Sequence, residues 1–154
     1  MVNLGRTDMA QSPEIGSAPD VTGIGTREQP WLLRTPTGQS GFTAYRDTAG
    51  DPPALVVQVR KTELRYHLRA LDDLAKMLLL HGNWMPLGSI NEESPASPGT
   101  VEAWARSPDN PVQGWYGLKK GRRGRFASFV PPVMEVLGLA EVEHNARNNR
   151  MKVK

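Results

Sequence analysis

Val136-Leu137-Gly138-Leu139-Ala140-Glu141-Val142-Glu143-His144 runs directly into Asn145-Ala146-Arg147-Asn148-Asn149-Arg150-Met151-Lys152-Val153-Lys154, and its periodicity changes at Gly138. Before the glycine, Phe126, Phe129, Val130, Val133 and Leu137 recur at helical spacing and share one stripe. After it, Ala140, Val142 and His144 alternate with Glu141 and Glu143, and Met151 and Val153 alternate with Arg150, Lys152 and Lys154. The pattern predicts a helix ended by a Schellman turn at Gly138-Leu139, then a β-hairpin turning over Asn145 to Asn148. Pro131 and Pro132 interrupt the helical stripe. Either the helix is kinked there, or it begins at Pro131 after a separate turn.

Upstream, a long helix is expected from Thr62, with Leu64, Leu68, Leu71, Leu74 or Ala75, and Leu78 on one face and Gly82 at its end. Thr100 is expected to cap a brief helix from Val101 to Arg106. Trp31–Arg34, Phe42–Tyr45 and Leu55–Val59 read as short strands that form a small sheet. Residues 1–29, rich in Gly, Ser, Pro, Thr and Asp and without a period, read as a disordered tail. The expected class is therefore α+β: one domain over residues 30–154, with strands in 30–60 and the helices and hairpin in 62–154.

From Thr62 onward the order is long helix, extended segment, short helix, helix, two-stranded hairpin. This order, with Leu137-Gly138-Leu139 closing the last helix and an Asn- and Arg-rich hairpin tip after it, resembles the winged helix-turn-helix domain. The resemblance covers about residues 62–154 and implies nucleic-acid binding, DNA first, with a regulatory role. The chain departs from the pattern in one place. A helix-turn-helix joins its helices by three or four residues, whereas fifteen separate Arg106 from Arg122. The whole chain also looks similar to small uncharacterised actinobacterial proteins carrying patterns like Gly114-Trp115-Tyr116-Gly117 and Asn148-Asn149-Arg150-Met151, a resemblance that implies no activity.

Charge is uneven along the chain. Residues 1–59 hold four basic and six acidic side chains, while residues 119–154 hold nine basic and three acidic, net +6, within a total of +3. A basic end on a near-neutral body points to an anionic partner. The absence of cysteine excludes disulfides, thiolate zinc sites and cysteine nucleophiles, and suits a reducing, cytoplasmic location. No apolar stretch at the N-terminus reads as a secretory signal, and none elsewhere approaches a membrane span.

Lys119, Lys120, Arg122, Arg123 and Arg125 put five cations in seven residues, interleaved with Gly121 and Gly124. Glycines let the backbone approach a phosphate, and Arg grips its oxygens in pairs. Arg147, Asn148, Asn149 and Arg150 at the hairpin tip, with Lys152 behind, carry side chains that bind phosphate backbones or minor grooves. Trp115 and Tyr116 are the aromatic pair placed to stack on bases. His67, His81 and His144 lack ligand spacing for a metal, and no cofactor motif is present. Glu92-Glu93 lie in an expected loop, where no geometry would be held. The sequence therefore points to a nucleic-acid-binding protein, alone or as a homodimer. The alternative is a protein-interaction or assembly module, and an enzyme is the remaining option.

Overall fold

The computed structural model describes residues 23–154, so the expectation for residues 1–22 lies outside the described residues. Residues 23–29 are not tail. The Ile24 and Gly25 amides donate to the Gln29 carbonyl at 2.9 and 3.0 Å, and the Arg46 amide donates to the Gly25 carbonyl at 2.9 Å. A Cβ at Gly25 would collide with the Trp31 indole, so glycine there lets the turn close over a buried tryptophan.

The fold is α+β. Four antiparallel strands form a meander in the order β1-β2-β3-β4: β1 (Trp31–Arg34), β2 (Gly41–Asp47), β3 (Ala54–Val59) and β4 (Thr62–His67). Then follow α1 (Ala70–His81), β5 (Met85–Pro86), α2 (Val101–Trp104), α3 (Phe126–Val136), β6 (Ala140–Val142) and β7 (Arg150–Val153). The last three strands make a second antiparallel sheet in the order β5-β7-β6.

The long helix expected from Thr62 is two elements. Leu64 and Leu68 share its spacing, but Thr62–His67 pairs along its whole length with β3, Val59 opposite Thr62 and Ala54 opposite His67. The apolar run of β3 is buried from Ala54 to Val57 and requires a hydrogen-bonded neighbour on this side. Pairing therefore overrides a helical pattern resting on one leucine. The boundary expected near residue 60 shifts accordingly, since β4 belongs to the first sheet.

Several local expectations hold. Thr100 caps α2 by accepting from the Ala103 amide at 3.1 Å. Gly82 ends α1 with φ 76°. At the end of α3 the Leu139 amide donates to the Met134 carbonyl (2.9 Å) and the Gly138 amide to the Glu135 carbonyl (3.0 Å), the Schellman pairing. The two prolines do not start α3, which begins at Phe126. They lie inside one continuous helix, where the lost backbone bonds cost about 3 kcal/mol or more each in isolation. Burial of eight of its eleven residues, at about 1.5–3 kcal/mol per large apolar side chain, offsets that cost.

The fifteen-residue insertion has a structural role. The His67 amide donates to the Tyr116 carbonyl at 2.9 Å and the Leu118 amide to the Arg65 carbonyl at 2.8 Å, so residues 116–118 run along the free edge of β4. The Tyr66 hydroxyl donates to the Gly124 carbonyl at 3.0 Å. One apolar core, from Trp31 and Phe42 through Tyr66 and Leu74 to Phe129 and Met151, spans both sheets. Phe42 packs edge-on against Phe129 with ring centroids 5.1 Å apart, so the first sheet covers a face of α3.

Candidate functional site

That covering decides what α3 can do. None of its residues is exposed: Ser128, Glu135 and Val136 are half-buried and the rest are buried. In the winged-helix resemblance either this last helix lies near the major groove or the hairpin carries the contacts, and burial removes the first option. A recognition helix must present side chains to base edges, and this one presents them to the core.

Beside the start of α3 lies a cleft of about 600 Å³. One wall is the β1–β2 loop, with Thr35, Thr37, Gln39 and Ser40, and the β3–β4 turn, with Arg60. The other is the hairpin tip, with Arg147, Asn148 and Asn149, and the floor carries Leu87, Ser89, Ser128 and Phe129. Arg125 stands at the first turn of α3. Among the described residues, the lining holds three arginines and no carboxylate. Among the described residues, none of the three forms an ion pair with Asp or Glu.

The backbone around this cleft is held in an unusual state. Among the described residues, four non-glycine residues have positive φ: Arg60 (52°), Gln113 (60°), Arg125 (58°) and Asn148 (60°). Three of the four line the cleft. A left-handed backbone costs a non-glycine residue about 1–3 kcal/mol and persists where surrounding structure imposes it, often at functional sites. Here it fixes the points from which two arginines and an asparagine project.

Side-chain bonds set the walls. The Ser89 and Ser128 hydroxyls lie 2.6 Å apart. Since one proton joins them, the second hydroxyl keeps its own proton to donate. Asn149 holds the hairpin tip by accepting from the Asn145 amide (2.6 Å) and donating to the Asn145 carbonyl (3.0 Å). Asn149 is therefore a turn-former, with its amide already used. His144 joins the walls: Nδ1 lies 3.1 Å from the Pro36 carbonyl and Nε2 lies 2.7 Å from Glu135.

The sequence-predicted residues separate into three groups. Arg125, Arg147, Asn148 and Asn149 share the cleft. Lys119, Lys120 and Arg122 are exposed on the loop before it, and Arg122 donates to the Glu63 carbonyl at 3.4 Å. Arg123, Arg150 and Lys152 face carboxylates. The Arg123 guanidinium is 3.1 Å from Glu92, the Arg150 guanidinium 2.7 Å from Glu143, and the Lys152 ammonium 3.9 Å from Glu141. Arg150 and Lys152 also lie over the Trp84 ring, at 5.2 and 4.9 Å.

Glu92 is not the loosely held carboxylate its loop suggested. It accepts from the Arg123 side chain and from the Gly121 and Arg123 amides. Arg123, working against burial, and then these amides draw its carboxyl down to about 2. The stacking pair is corrected too. The Arg106 and Arg123 guanidiniums lie over the half-buried Trp115 ring, 4.6 and 4.1 Å from its centroid. Tyr116 is fully buried, stacked on Trp104 and donating to Asp73 at 2.8 Å. Tyr116 has no face free for a base, and cations already sit over the Trp115 ring.

Arg60 escaped the sequence reading. The usable signal was Arg60-Lys61 between the strand-like Leu55–Val59 and the alternating Thr62–His67, which marks a hairpin tip. Among the described residues, no group of three His, Asp or Glu side chains is placed to hold a metal ion. No helix among them is long and apolar enough to cross a membrane.

The geometry defines an α+β protein with an arginine-lined cleft, without a carboxylate among the described residues, between a four-stranded sheet and a C-terminal hairpin. The chain belongs to the family of unknown function DUF6855, whose model matches residues 23–154. No curated protein and no solved structure matches it.

Proposed function

We propose that this protein binds nucleic acid, DNA being the first candidate, through phosphate contacts and without reading base edges. The observation that carries the proposal is the meeting of Arg125 and Arg147, from cationic stretches far apart in sequence, in one cleft with Arg60 and no carboxylate. Guanidinium forks match phosphate oxygens in pairs. Phosphate contacts position a protein on nucleic acid, whereas base contacts specify sequence, and α3 has no exposed residue to specify with. The element order from α1 to β7, with the sheet order β5-β7-β6, supports a winged-helix-like scaffold whose hairpin, rather than its last helix, makes the contacts. A cytoplasmic location goes with this proposal and is supported by the cysteine-free sequence.

Fluorescence anisotropy with a random-sequence oligonucleotide tests it. Affinity should fall steeply with salt, the log–log slope measuring about 0.7–0.9 per phosphate contacted. Exchanging one sequence for another of equal length should leave affinity unchanged. Absence of binding at low salt would overturn the proposal. A second reading, a protein-docking module, draws on Leu79 and Leu80 at the end of α1, which are 65% and 88% exposed.

A further inference from the structure

We propose that the cleft takes one nucleoside-phosphate unit, its phosphate held by Arg60, Arg125 and Arg147, so that unpaired strand is preferred over duplex. This rests on the nucleic-acid proposal and narrows it to a substrate form. Duplex recognition places a protruding helix or β-ribbon of the protein into a groove about 12 Å wide. Here the arrangement is inverted. The helix that would protrude is covered, and the cationic feature is a concavity the ligand must enter.

The cleft suits such a unit in size and lining. Its volume of about 600 Å³ falls within the range of about 300–1,000 Å³ typical of small-ligand sites. Three arginines supply charge for a phosphate, and the Ser89–Ser128 pair keeps one donor proton beside them. The Gln39 and Asn148 amides offer donor and acceptor together to the sugar hydroxyls. Phe129 and Leu87 form an apolar floor. Among the described residues no carboxylate lines the cleft to repel the anion.

A nucleoside phosphate can arrive free or within a strand, and the test separates the two. The full chain is titrated by anisotropy with fluorescent oligothymidylate, then competed with that strand unlabelled, with the strand annealed to its complement, and with thymidine 5′-monophosphate. The single strand should compete at least about tenfold better than the duplex, because a flexible strand can seat one unit in the concavity and a rigid duplex cannot. The mononucleotide should displace the labelled strand completely at high concentration. Arg60→Gly, which tolerates φ 52° without strain, should lower single-strand affinity several-fold at unchanged circular dichroism.

Equal competition by duplex and single strand would overturn the inference, as would a folded Arg60→Gly variant of unchanged single-strand affinity. If neither oligonucleotide binds but the mononucleotide does, in an Arg60-dependent manner by calorimetry, the cleft stands as a free-nucleotide site and the nucleic-acid proposal falls. If none of the three binds, both fall.

Discussion

The Arg123 guanidinium donates to the Glu92 carboxylate at 3.1 Å, joining two loops 31 residues apart, and the Arg123 amide donates to the same carboxylate at 2.7 Å. Two residues further on, Arg125 lines the cleft and has no carboxylate partner among the described residues. Neighbouring arginines of one basic run therefore do different work. Arg123→Ala should destabilise the protein by about 1–3 kcal/mol, the range for a hydrogen bond to a charged group whose partner is left poorly solvated. Arg125→Gly, compatible with φ 58°, should stay within about 0.5 kcal/mol. Urea denaturation of the two variants checks this.

Glu92 also sets an acid dependence. Its carboxyl titrates near 4.5 when unfolded and is drawn down to about 2 in the fold, first by Arg123. A depressed carboxylate stabilises the fold fully above its unfolded value and loses that contribution as pH falls toward the folded one. Glu92→Gln should therefore lower stability at neutral pH and flatten the decline between about 4.5 and 2. Thermal unfolding of both proteins across that window reads the difference.

Gly124, three residues past the insertion, crosses close to the loop that holds Glu92. A Cβ there would collide with the Glu92 amide and with the Asn91 carbonyl carbon, 2.7 Å away. Backbone cannot move aside as a flexible side chain can, so Gly124→Ala should cost about 1–3 kcal/mol. Gly41→Ala, whose nearest contact would be 3.8 Å away, is the control and should change the melting temperature little.

Trp115 separates stability from binding. Two guanidiniums lie over its ring, contacts worth about 0.5–1 kcal/mol each near a surface. Trp115→Leu should lower stability by about 1–2 kcal/mol and leave oligonucleotide affinity within twofold of wild type. A loss of affinity comparable to that of Arg60→Gly would restore Trp115 as a stacking residue.

The parts of the fold legible in the sequence were those decided locally. Gly138 with Leu139, the alternation through Val142 and Met151, and the Thr100 cap each rest on neighbours within a few residues. Thr62–His67 was illegible because its partner is a buried strand, and pairing across the Arg60-Lys61 turn outweighs a leucine spacing that suits a helix. In the site, the hairpin tip and Arg125 were visible as charge. That Arg123 meets a glutamate was not, because Glu92 reaches it across 31 residues, whereas Arg150 and Lys152 meet Glu143 and Glu141 across the hairpin itself. Tyr116 and Asn149 show the same limit, since residue type suggests a ligand contact while long-range or turn bonds already satisfy both side chains. Arg60 carries no motif and becomes a cleft residue only through the turn that holds it.

Amide proton–nitrogen correlation spectra, recorded while unlabelled oligothymidylate is added to the isotope-labelled protein, locate the bound strand most directly. Shifts should concentrate at Arg60, Ser89, Ser128 and Asn148 and weaken as salt is raised. Shifts confined to the Trp84 face or to Lys119 and Lys120, with the cleft amides unmoved, would contradict the account.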